Sequence, residues 1–136
     1  MRFPFKELPG THQDYARPVL PVIVEGLPRA PQLCLVDTGA LHNRFGSWVA
    51  EAAGIELEDA PSETIAVGGF HTEVRDARVR LEVGDFAWDA SVSFCDPWPL
   101  AFHILGQEGF FRWFEVSIRA ARYAIDLEFE KNESPP

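Results

Sequence analysis

Leu33-Cys34-Leu35-Val36-Asp37-Thr38-Gly39-Ala40 decides how this chain is read. Four apolar residues in a row predict a buried strand, here Gln32 to Asp37. The strand ends on a carboxylate, and Gly39 turns the chain sharply just behind it. An acid carried out of the core on a strand end and fixed by a tight turn is placed for chemistry better than a scattered surface charge.

Working outward, the flanking pattern is mostly β. Arg17 to Glu25, rich in Val and Ile, predicts a strand closed by Gly26 and Pro28. Ser47 to Ala53 predicts a helix, with Ser47 as N-cap and Gly54 as terminator. Thr64–Val67 and Phe70–Val74 flank Gly68-Gly69, a pair suited to the positive φ of a two-residue hairpin turn. A second hairpin is predicted from Ala77, Val79, Leu81 and Val83, then Phe86, Trp88, Ala90, Val92 and Phe94 across Gly84-Asp85. Its period-two alternation gives each strand one buried face. Asp96-Pro97-Trp98-Pro99 predicts a stiff loop, Gln107 to Phe114 a short helix, and Val116 and Ile118 a strand. Tyr123 to Phe129 is the last predicted strand.

At 136 residues the chain is expected to form one domain. It divides into an N-terminal arm (1–16), the domain proper (17–130) and a disordered polar tail (131–136). Twelve Lys and Arg stand against 21 Asp and Glu, for a net charge of −9. The basic residues are scattered, which argues against a nucleic-acid partner. Neither a signal peptide nor a membrane-spanning run is apparent, so a cytoplasmic protein without a membrane partner is expected. Cys34 and Cys95 sit in apolar strands and read as reduced core residues, with a disulfide as the alternative. The four histidines show no metal-ligand spacing, and no metal or cofactor is expected.

Four features in this order resemble the retropepsins, the single-domain aspartic proteases of retroviruses and their bacterial relatives. They are Asp37-Thr38-Gly39-Ala40 after an apolar strand, a glycine-tipped hairpin about thirty residues later, a proline-rich loop, and Ile104-Leu105-Gly106 opening a helix. The segments Arg17–Val22 and Leu105–Phe111 look especially like the bacterial branch. The likeness runs from Arg17 to Phe129 and implies a mainly β, closed acid-protease barrel with one or two short helices.

It further implies that Asp37 is catalytic, that Thr38 locks two such loops in register, and that Gly39 turns a backbone N–H toward the acid. Such enzymes need two acids, yet this chain has one Asp-Thr-Gly and no internal repeat. The resemblance therefore implies a homodimeric endopeptidase acting on an extended polypeptide. Ala40, the hairpin tip Val67-Gly68-Gly69-Phe70 and Trp98 would line the substrate. Ala40 lacks the hydroxyl of a serine that could donate to the charged acid, so a less acidic activity optimum is expected. One departure stands out. Gln107-Glu108 replaces the arginine and Asp or Asn usual after Leu-Gly, and in the family that arginine helps fasten the dimer. The alternative reading is a retropepsin-like module that dimerises or binds peptide without cutting. A second rival is a small β-sandwich that merely contains Asp-Thr-Gly.

Overall fold

Six strands close on themselves to form the core of the molecule. The computed structural model describes residues 1–8, 15–57 and 60–130. In chain order the strands are β1 (Arg2–Pro4), β2 (Lys6–Glu7), β3 (Ala16–Arg17), β4 (Val19–Val24), β5 (Gln32–Val36) and β6 (Asn43–Gly46). After helix α1 (Ser47–Ala53) come β7 (Ser62–Val67), β8 (Phe70–Val83), β9 (Phe86–Asp96) and β10 (His103–Leu105), then β11 (Phe114–Arg119) and β12 (Ala124–Phe129). The main sheet runs β4-β5-β10-β6-β9-β8-β7, and β4 also pairs with β8 through Ile23↔Glu82 and Val24↔Leu81. That last pairing makes a six-stranded barrel rather than two stacked sheets, so the sandwich is excluded and the expected mainly β, closed barrel is what the chain forms. β7 hangs outside the closure as the hairpin partner of β8.

Alternation explains the interior. Leu20, Val22 and Val24 of β4, Cys34 and Val36 of β5, and Leu81 and Val83 of β8 point inward and are buried. Trp88, Val92 and Phe94 of β9 complete one core with Phe45, Leu105 and Phe110. Each such side chain contributes about 1.5–3 kcal/mol by leaving water. Cys34 and Cys95 are both buried and free.

A second layer, β1-β12-β11, packs Phe114, Ile125 and Leu127 against this core. It draws in the N-terminus: Phe3 pairs with Ile125, and Arg2 and Arg119 both bind the Asp126 carboxylate at 2.7 and 2.6 Å. The two guanidinium groups hold that carboxyl well below the usual carboxylate range. Residues 9–14 of the expected arm and the tail 131–136 lie outside the described residues.

Several local expectations change. The two predicted hairpins share one continuous 14-residue strand, β8, which pairs with β9 without a break from Glu73 to Val83. Its buried positions shift from Thr72 and Val74 to Val79, Leu81 and Val83 across the exposed pair Arg75-Asp76. Ser47 is the first helical residue and Gly46 the cap, with no side-chain cap bond, while Gly54 ends α1 at φ +74° as expected. The helix at Gln107 closes after Phe111, and Phe114 already belongs to β11, where its ring meets Trp88 and Phe86. Tyr123 takes a left-handed turn (φ +51°), so the last strand starts at Ala124.

Candidate active site

Asp37 follows directly on β5, whose Val36 stands opposite Leu105 of the parallel strand β10. Its backbone N–H donates to the Leu105 carbonyl at 3.0 Å, and its own carbonyl accepts from the Ala40 N–H at 3.2 Å. The Gly39 N–H donates to Asp37 Oδ1 at 2.9 Å, which fixes the carboxylate over its own turn. Asp37 is half-buried while Thr38 and Gly39 are exposed, so the acid sits on an open face. Among the described residues the Thr38 hydroxyl makes no hydrogen bond within the chain.

A second segment grips this turn. As the chain leaves β10, the Gln107 N–H donates to the Ala40 carbonyl at 2.9 Å and the Glu108 N–H to the Leu41 carbonyl at 2.8 Å. The Gln107 side-chain amide reaches further and donates to the Thr38 carbonyl at 2.8 Å. Gly106 lies between them with no room for a side chain: a Cβ there would stand 2.5 Å from the His42 carbonyl oxygen and 2.8 Å from that of Ala40. The Asp37–Leu41 loop is therefore held by β10 on one side and by residues 106–108 on the other.

Asn43, fully buried at the start of β6, locks the crossing. Its Oδ1 accepts from the Gly106 N–H at 3.0 Å and its Nδ2 donates to the Ser91 carbonyl at 3.3 Å. Behind it, His103 opens β10. Its Nδ1 accepts from the Gly46 N–H at 3.2 Å, which leaves the proton on Nε2 to face Gln32 Oε1 at 3.1 Å. Its ring stacks on Phe45 at 4.8 Å. Burial pushes this imidazole down to about 4, so it is neutral at physiological pH.

The other expected site residues form a second group. Gly68 and Gly69, at φ +50° and +90°, close the β7–β8 hairpin beside the Val67↔Phe70 pair. Phe70 meets Trp98 edge-on at 5.9 Å. Trp98 Nε1 donates to the Phe102 carbonyl at 3.0 Å, and Thr72 Oγ1 donates to the Pro97 carbonyl at 2.6 Å, so the hairpin and the proline loop are fastened together. The structure thus joins Asp37, Thr38, Gly39 and Ala40 in one group, and Val67, Gly68, Gly69, Phe70 and Trp98 in another. The loop carrying Trp98 runs straight into β10, which carries the first group.

Asn43 and His103 were not legible as site residues. Counting back by two from buried Phe45 places Asn43 inward, and that was the available signal. Among the described residues no group of three or more His, Cys, Asp or Glu side chains could hold a metal ion. No helix there is long and apolar enough to cross a membrane. No model of a known protein family matches the chain, and no curated protein matches it.

Proposed function

We propose that the protein is a homodimeric, retropepsin-like aspartic endopeptidase of the bacterial type, working in the cytoplasm on extended polypeptide. The observation that carries this reading is the threaded turn. A strand-end carboxylate is oriented by the Gly39 N–H, and its loop is gripped by Leu105, Gln107 and Glu108. That is heavy reinforcement for a lone surface aspartate, and it presents the acid on an open face.

In the proposed dimer two Asp37 carboxylates share one proton, because like charges that close cannot both ionise. The ionised acid takes a proton from water, and the water attacks the scissile carbonyl. The protonated acid donates to the carbonyl oxygen. The exposed Thr38 hydroxyl, without a hydrogen-bond partner among the described residues, is free to bond across to the second copy. The glycine-tipped hairpin offers backbone groups to the peptide, and Phe70 with Trp98 supplies an apolar wall.

The test is cleavage of a reduced, carboxymethylated protein by the purified chain and by Asp37→Asn. Cleavage that disappears in the variant supports the dyad, and undiminished cleavage overturns it. The binding-module alternative is favoured by one observation: the Gln107 side chain, at the position where the family's arginine fastens the dimer, is engaged within its own chain. Absence of cleavage by the parent chain, with retained peptide binding, would establish that alternative.

A further inference from the structure

Three concavities meet at Asp96, the last residue of β9. One of about 490 Å³ lies beside α1 and takes in Glu51, Glu73, Arg75 and Asp96. A second of about 390 Å³ is walled by Trp48 and Trp98, with Glu51 and Asp96 at its rim. The third, about 320 Å³, continues past Glu73 and Asp96 toward the β7–β8 hairpin. Together they make a groove across one face of the barrel. The two indoles flank it closely, since a Cβ on Gly46 would stand 2.6 Å from Trp48 Nε1 and 3.1 Å from Trp98 Cδ1. Trp48 remains 50% exposed, an unusual degree for so large an apolar side chain.

The charges are arranged against stability. Glu73 and Asp96 stand directly opposite each other in the β8–β9 register, where like charges repel. Among the described residues neither of them, nor Glu51, takes part in an ion pair. Arg75 lines only the first concavity and makes no ion pair either.

We propose that this groove docks an extended polypeptide segment bearing an arginine or lysine. The cationic head lies between Asp96 and Glu51 in the second concavity, which Arg75 does not line, and its aliphatic stem lies along Trp48 and Trp98. Aromatic walls with a carboxylate rim suit a side chain that is apolar along its length and positive at its tip. The incoming cation relieves the Glu73–Asp96 repulsion, whereas an acidic segment adds to it. An uncharged apolar segment would strip water from the Asp96 and Glu51 carboxylates without compensation.

Docking does not depend on cleavage at Asp37, so the test uses the full chain carrying Asp37→Asn, which leaves a bound peptide intact. A fluorescent tetra-arginine peptide is expected to bind and a tetra-glutamate peptide is not. Asp96→Asn or Trp98→Ala weakens the tetra-arginine complex at least about tenfold. Removing the Glu115 and Glu128 charges, a cross-strand pair elsewhere on the surface, changes it less than about twofold. Equal weakening by that control pair, or no binding of tetra-arginine, overturns the proposal. Glu73→Gln supplies a readout independent of any peptide. It is expected to raise the melting temperature by about 2 °C by removing the repulsion, and a fall removes the physical basis of the site.

Discussion

The side-chain amide of Gln107 donates a 2.8 Å hydrogen bond to the carbonyl oxygen of Thr38, across the turn that presents Asp37. The same residue's backbone holds Ala40. One residue thus grips the loop at two points. Gln107→Met keeps the backbone bond and the approximate side-chain volume but removes the donor. A stability loss of about 1 kcal/mol is expected. If Asp37 is catalytic, kcat should fall more than KM changes, because the loop that aims the acid is loosened while the peptide-contacting hairpin is untouched. A KM effect without a kcat effect would assign Gln107 to substrate binding instead.

Gly106 is constrained by space rather than by backbone conformation, its φ of −123° being open to any residue. The atoms a methyl group would strike are the carbonyl oxygens of Ala40 and His42, which cannot swing aside as a flexible side-chain tip can. Gly106→Ala should cost ~2–3 kcal/mol and displace the Asp37 loop. Denaturant melts measure the cost, and a stability loss below about 0.5 kcal/mol would mean that the crossing is loose.

The barrel strands were legible because one face of each is core, and alternation records that directly, as in β8 and β9. The short strands β6 and β10 were not. Four residues from Asn43 to Gly46, and three from His103 to Leu105, are too few for a period to emerge, and their cores include an amide and an imidazole. Those polar groups are buried only because they satisfy each other's neighbours: Asn43 takes the Gly106 N–H, and His103 takes that of Gly46. Such pairing depends on segments about sixty residues apart, and no local window contains it. The Asp37 turn was legible because its chemistry is local, a glycine two residues after the acid. The clamp formed by residues 105–108 around it was not.

His103 predicts an acid limit to stability. Its native value of about 4 lies below the ordinary 6.5 because burial disfavours the charged form. Above pH 6.5 the ring is neutral in both states and its contribution is complete. Between pH 6.5 and 4 the unfolded chain gains a proton that the native ring resists, so stability falls as pH falls. By pH 4 the loss approaches about 3 kcal/mol. Urea melts at pH 7, 5.5 and 4.5 should show this decline, and His103→Gln, which keeps a donor toward Gln32, should flatten most of it. Parallel declines in the two proteins would place the acid sensitivity in other groups.

Ala40 bears on the same pH range from the catalytic side. Its N–H closes the Asp37 turn and its methyl group offers no hydrogen bond. A serine hydroxyl there would favour a charged neighbouring acid. Ala40→Ser is therefore expected to move the acidic limb of the pH–rate profile to lower pH. Because His103 weakens the fold in that range, the shift should be read from initial rates. An unmoved limb would show that the hydroxyl position does not face the acid.

A shared site has a consequence that no single-chain site can reproduce. If each active centre needs Asp37 from both copies, a dimer of one parent chain and one Asp37→Asn chain is inactive. Parent and variant mixed in equal amounts and allowed to exchange should form parent–parent dimers as about one quarter of the total. Activity should then fall to about one quarter of that of parent protein at the same total concentration. Independent sites would give about one half. The two outcomes differ by a factor of about two, well within the reach of an initial-rate assay. A value near one half would place a complete catalytic centre within one chain, which the single Asp-Thr-Gly of this sequence does not supply.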